Sequence, residues 1–197
     1  MRRFGVAGSV ALAALLASGA SHGAQQPRLP PRYEFGRPAT AEDIRAWSIE
    51  VMPDGRGLPA GRGTAADGAT TYARRCAACH GATGVEGPFM PLVGREPREG
   101  FPFGRDPVAR RTVGNYWPYA TTLFDYLRRA MPLDAPGSLA ADDVYGLVAY
   151  LLWRNEIIAD TAAMDAASLP RVVMPARGRF VSDEAVMGAT SGPGRRP

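Results

Sequence analysis

One string narrows the possibilities for this chain more than any other: Cys76-Ala77-Ala78-Cys79-His80. It holds both cysteines of the 197-residue sequence and one of its two histidines. Two thiols three residues apart on a helical turn face the same way. They can add to the two vinyl groups along one side of a haem, and the adjacent imidazole is then held under the iron. The pattern predicts one covalent haem c, bound through Cys76 and Cys79 with His80 as proximal ligand. A redox disulfide would need a strand before the motif, but Tyr72-Ala73-Arg74-Arg75 is helical in character. A zinc site would need more ligands than the three soft candidates here.

The second axial ligand follows by elimination. There is no lysine, and the other histidine, His22, lies in or beside an N-terminal leader. Methionine remains, and His/Met ligation is a route to a high-potential haem. The candidates are Met52, Met90, Met131, Met164, Met174 and Met187. Met52 sits in a Pro/Gly-rich stretch, and Met90 is a tight reach around a haem from His80. Met131 is better placed. It ends a helix with Leu123, Leu127 and Ala130 on one face, and Pro132 stops that helix behind it.

Residues 1–24 read as a secretory signal peptide: Arg2 and Arg3, an apolar run from Val6 to Ala17, then small residues. Cleavage fits after Ala20 or at Gly23/Ala24. Twelve residues are too few to span a bilayer, so the expected location is the periplasm, with no stable membrane span. Removal of the leader leaves 21 arginines against 19 acidic residues, a charge of +2 in place of +4. No basic run is interleaved with aromatics, which argues against nucleic-acid binding. Apolar residues at 46% exclude a wholly disordered chain.

Residues 25–63 are rich in Pro and Gly and read as an extended N-terminal arm, with one helical turn at 41–47. Residues 64–155 form the expected haem domain. Gly68, Tyr72 and Cys76 line one face of a first helix over 64–76. Residues 81–115 must wrap the haem as loop. Thr121 and Thr122 are expected to cap the helix that ends at Ala130. A last helix spans about 140–155, with Val144, Leu147, Val148, Leu151 and Leu152 on one stripe and aromatics on the others. Residues 156–197 are a C-terminal extension whose last part, 182–197, reads as frayed. The predicted architecture is all-α, with three main helices wrapped around one haem and an arm at each end.

The constellation from Gly68 to Arg154 resembles the class I cytochromes c. The resemblance implies that Gly68 lets the first helix cross the last closely, with Tyr72 and Tyr150 beside the crossing. It also implies that the loop Pro91-Leu92-Val93-Gly94 supplies a proline carbonyl to the proximal imidazole N–H, with Pro88 as the rival. A narrower resemblance runs over roughly 34–180. Asn115-Tyr116-Trp117-Pro118-Tyr119-Ala120, Arg128-Arg129-Ala130-Met131-Pro132, Phe35-Gly36-Arg37-Pro38 and Ser168-Leu169-Pro170 are similar to the cytochrome subunit of bacterial sulfur dehydrogenase, the SoxD family. That likeness implies a molybdenum-containing subunit as electron donor, acting on sulfane sulfur or sulfite. A downstream periplasmic cytochrome or oxidase is the implied acceptor. It also implies that Tyr116 and Trp117 donate to a haem propionate, with Arg95 and Arg111 as further candidates, and that Phe89 and Leu133 line an exposed haem edge. Two departures are visible. Some members carry two haems where this chain has one motif. The family's pattern after the late Met-Pro is here Ala176-Arg177-Gly178-Arg179-Phe180.

The chain holds one electron carrier and no visible nucleophile, so it is not expected to be an enzyme alone. A free electron shuttle is the alternative. A ligand sensor or haem enzyme with an open sixth position is a third reading, and no distal histidine supports it.

Overall fold

The computed structural model describes residues 35–103 and 105–181. The signal peptide and the frayed end therefore lie outside the described residues. Residues 35–38 belong to a separate N-terminal unit, and the account that follows concerns the unit from Ala39 onward.

Its centre is the helix with the most apolar sequence. Every residue from Val144 to Leu152 is buried, on all sides of the helix Ala141–Arg154 (α5). A helix apolar all round needs neighbours all round. One is Ala65–Arg75 (α2), which crosses α5 where glycine faces glycine. A Cβ on Gly68 would lie 1.9 Å from the Gly146 carbonyl oxygen. Beside the crossing, the Tyr72 and Tyr150 rings lie 5.0 Å apart, as the family likeness implied. A second neighbour is Ala120–Ala130 (α4), whose Phe124 ring packs 4.5 Å from Tyr145.

The caps show how locally determined these helices are. Thr64 and Asp67 cap α2 reciprocally. The short helix Ala41–Trp47 (α1), where one helical turn was expected, has the same device in Thr40 and Asp43. The start of α4 corrects an expectation. Its cap is the extended Tyr119, and neither threonine accepts a backbone N–H there. The Thr122 hydroxyl donates back to the Tyr119 carbonyl at 2.8 Å, and Thr121 donates to Pro53 at 3.1 Å.

The fold is mainly helical, but not entirely. Arg62–Thr64 (β1) pairs antiparallel with Ala163–Asp165 (β2), Gly63 opposite Met164. This ribbon, absent from the all-α expectation, forms because the chain returns after α5 to the entrance of α2. Gly63 makes room for it, since a Cβ there would stand 2.2 Å from the Gly146 nitrogen.

Much of both arms belongs to this core. Val51 is buried, and its N–H donates to the buried Asp125 carboxylate at 2.8 Å. Arg128 reaches the Ile49 carbonyl, and Tyr145 the Pro59 carbonyl. On the C-terminal side Leu169 and Met174 are fully buried and Val172 packs against the same cluster. Only α1 differs. None of its residues is buried, and Ile44 and Trp47 are exposed.

Candidate haem site

α2 ends at Cys76, whose φ of −124° and ψ of −35° break the helix before one further turn, Ala77–His80 (α3). Gly81, at φ +82°, terminates that turn. The Cys79 and His80 N–H groups both reach the Cys76 carbonyl, at 3.1 and 2.9 Å. The two cysteines therefore sit one turn apart. Cys76 is half-buried and Cys79 exposed. Burial pushes the Cys76 thiol up to about 11, reinforced by Cys79 and opposed by Arg75.

The His80 ring is oriented by a backbone contact. Its Nδ1 lies 3.0 Å from the Met90 carbonyl oxygen. A carbonyl can only accept, so Nδ1 carries the proton and Nε2 presents its lone pair to a metal. This corrects the choice of Pro91, and of its rival Pro88, as the source of the carbonyl. The acceptor belongs to the residue before Pro91, because a proline holds its predecessor extended. Pro91 itself is buried behind it.

The loop reaches this position through close approaches. Phe89 N–H donates to the Cys79 carbonyl at 3.1 Å, and Leu92 and Val93 both donate to Gly84. A Cβ on Gly87 would lie 2.2 Å from the Cys79 oxygen, so only glycine lets this loop lie against the motif. Glu86 ties the intervening turn by accepting from Thr83 and Val85. Those bonds, led by the Thr83 hydroxyl, hold its carboxyl down to about 2. The Tyr72 hydroxyl donates to Gly81 at 2.9 Å, and burial raises its pKa.

Met131 caps the C-terminus of α4 and is half-buried. It packs on the same core cluster as Cys76, Ala77, Leu92 and Trp117, so the motif and the candidate ligand border one apolar core. The other methionines are placed differently. Met164 and Met174 are buried in the interior. Met90 has its backbone beside His80 Nδ1, on the proximal side. Met52 is exposed, and Met187 lies outside the described residues.

Trp117 is half-buried against that core, its ring 5.7 Å from Tyr126. Tyr116 stands elsewhere, in a group with Phe101, Phe103 and Phe180, with the Arg111 guanidinium 4.7 Å from its ring centroid. These are the neighbours of an aromatic core. None of these ring contacts reaches Cys76, Cys79, His80 or Met131. Phe89 and Leu133 are both exposed.

One residue escaped the sequence reading, and another gained weight from the structure. Asn155 is fully buried and grips the loop after His80: it accepts from Gly94 N–H at 2.9 Å and donates to the Leu92 carbonyl at 3.1 Å. A lone asparagine at a helix end signals only a cap. The other is Arg95 Nε, the one side-chain polar atom that is buried without a hydrogen-bond partner among the described residues. Buried polar groups are nearly always paired, so this donor points to an acceptor that the described residues do not supply.

The donor set fits a haem. Two thiols one turn apart suit the vinyl groups, the imidazole offers Nε2, Met131 offers a thioether, and Arg95 offers a buried cationic donor to a carboxylate. When bound, the haem supplies reversible one-electron chemistry. Among the described residues no cluster of three or more His, Cys, Asp or Glu could hold a metal ion by itself.

Comparison with known proteins agrees. Residues 63–151 match the family described as cytochrome c oxidase, cbb3-type, subunit III. No match was found among curated proteins. Among solved structures, the chain is similar to the sulfane dehydrogenase SoxCD from Paracoccus pantotrophus, at 34% identity and a TM-score of 0.65, over 83% of this chain and 81% of that one. Fold and site define a c-type cytochrome, a haem protein that transfers electrons. Within that class the chain belongs to the family of SoxD, the cytochrome subunit of such dehydrogenases. Among the described residues no helix is long and apolar enough to cross a membrane.

Proposed function

We propose that this protein is the electron-accepting cytochrome of a molybdenum-containing sulfur or sulfite dehydrogenase, working in the periplasm after removal of residues 1–24. It carries one haem, covalently bound through Cys76 and Cys79, with His80 and Met131 as axial ligands. Arg95 and Trp117 hold a propionate. Electrons arrive from the molybdenum subunit and leave to a periplasmic cytochrome or oxidase.

The observation that carries this reading is the extent of the likeness. It covers 83% of the chain, whereas the general cytochrome match covers residues 63–151 alone. Outside 63–151 lie the strap at 49–59 and the buried C-terminal segment around Leu169 and Met174.

Stopped-flow mixing of the oxidised protein with the co-encoded molybdenum protein and substrate tests it. Rapid reduction, much faster than for an unrelated periplasmic cytochrome c, is expected. Equal and salt-abolished rates for the two cytochromes would favour a free shuttle instead.

A further inference from the structure

Arg95 is held from one side only. Its Nη1 donates to the Glu156 backbone carbonyl at 3.3 Å and lies 4.0 Å from the Glu156 carboxylate. Its Nε is enclosed and unmatched among the described residues. Leaving a charged donor buried without an acceptor is strongly unfavourable. An anionic acceptor at that nitrogen would satisfy it.

Glu156 is unusual in its own right. It follows α5 with φ at +57°, a region that few residues other than glycine adopt. That turn swings the Glu156 carbonyl toward Arg95 while its carboxylate pairs with Arg98 at 2.8 Å. Asn155, one residue earlier, pins the backbone at Leu92 and Gly94. Behind Arg95 there is no slack, since a Cβ on Gly114 would stand 2.6 Å from the Arg95 Cγ. Two consecutive residues thus fix the loop and its arginine together.

We propose that Glu156 is a positioning residue that sets the reduction potential. Its carbonyl holds Arg95 with the Nε edge turned to a haem propionate, and its negative charge partly offsets the Arg95 cation. The proposal rests on the haem reading above. An arginine beside the haem favours the less positive, reduced iron, and an anion that offsets it favours the oxidised one. Glu156 is 66% exposed, so water and salt screen its effect and keep it modest.

Spectroelectrochemical titration of the purified haem-loaded protein tests this, after the haemochrome spectrum shows that each variant carries haem. A variant without haem counts against the haem reading itself. Glu156→Gln and Glu156→Gly should each raise the reduced-to-oxidised ratio at fixed potential by roughly threefold. Glycine accepts the positive φ, so it removes the carboxylate while preserving the carbonyl contact. Arg95→Leu should lower the ratio by more than that. In the Arg95→Leu background, Glu156→Gln should lose most of its effect, because the influence runs through the arginine. Wild-type potentials in both Glu156 variants overturn the proposal. So does full additivity with Arg95→Leu, which would mean a charge acting directly through space. An unchanged potential in Arg95→Leu with haem in place removes the propionate contact, and the proposal with it.

Discussion

Replacing Gly68 with alanine adds one methyl group where α2 crosses α5. That methyl would sit 1.9 Å from the Gly146 oxygen, 2.3 Å from its carbonyl carbon and 2.8 Å from Tyr150 Cβ. The first two obstacles are backbone, so no side chain can rotate away. Ordinary contact begins at 3.4 Å. The helices must therefore part by about 1.5 Å along this line. A gap of ~0.5–1 Å already forfeits a quarter to a half of a dispersion well. The parting also loosens the Tyr72–Tyr150 contact and the Gly63 approach to Gly146. Overpacking costs typically about 1–3 kcal/mol and more where nothing can yield. Alanine returns about 1 kcal/mol through helix propensity. With both obstacles in the backbone the overpacking cost is about 4 kcal/mol, which leaves a net loss of about 3 kcal/mol, equivalent to ~6–12 °C in Tm for a chain of this size. Urea unfolding of the haem-loaded protein, followed by far-ultraviolet circular dichroism, measures it as a lower midpoint at constant slope. Gly137→Ala is the control: φ there is +74°, yet nothing lies within 4 Å. It should cost only the backbone strain, about 1 kcal/mol. A Gly68→Ala protein within ~0.5 kcal/mol of wild type, the usual range of neutral surface changes, would refute the close-crossing argument.

Met131→Ala should abolish the methionine–iron(III) charge-transfer band and lower the reduction potential, since a thioether favours ferrous iron; an unchanged ferric spectrum would place the ligand elsewhere. Asp125→Asn leaves Val51 N–H and Arg129 facing a neutral amide in a buried site, so a loss of about 1–3 kcal/mol and faster tryptic cleavage at Arg56 are expected. Glu86 has a folded pKa of about 2 against an ordinary 4.5. Its stabilising contribution is therefore complete above pH 4.5 and lost as the pH falls toward 2. Urea midpoints measured across that window should fall less steeply in Glu86→Gln than in wild type.

The helices and the motif were legible in the chain because both are local. Apolar spacing marks α5 from Val144 to Leu152, Pro132 marks the end of α4, and the spacing of Gly68, Tyr72 and Cys76 marks α2. Cys76, Cys79 and His80 are neighbours in sequence and need only one helical turn to converge. The remainder depended on contacts between residues far apart in the chain. Which carbonyl meets His80, that of Met90 rather than Pro91, depends on how the loop folds back over Cys79. Whether the arms serve a partner or their own core was open in the sequence, since apolar residues suit either. Only tertiary structure places Val51 under Asp125 and Met174 in the interior while leaving Ile44 and Trp47 outside. The β1–β2 ribbon joins segments about a hundred residues apart, and a three-residue strand has no periodicity to read. Asn155 and Arg95 acquire their meaning in the same way. A polar side chain is ordinary in sequence and becomes informative once burial removes the water that would have satisfied it.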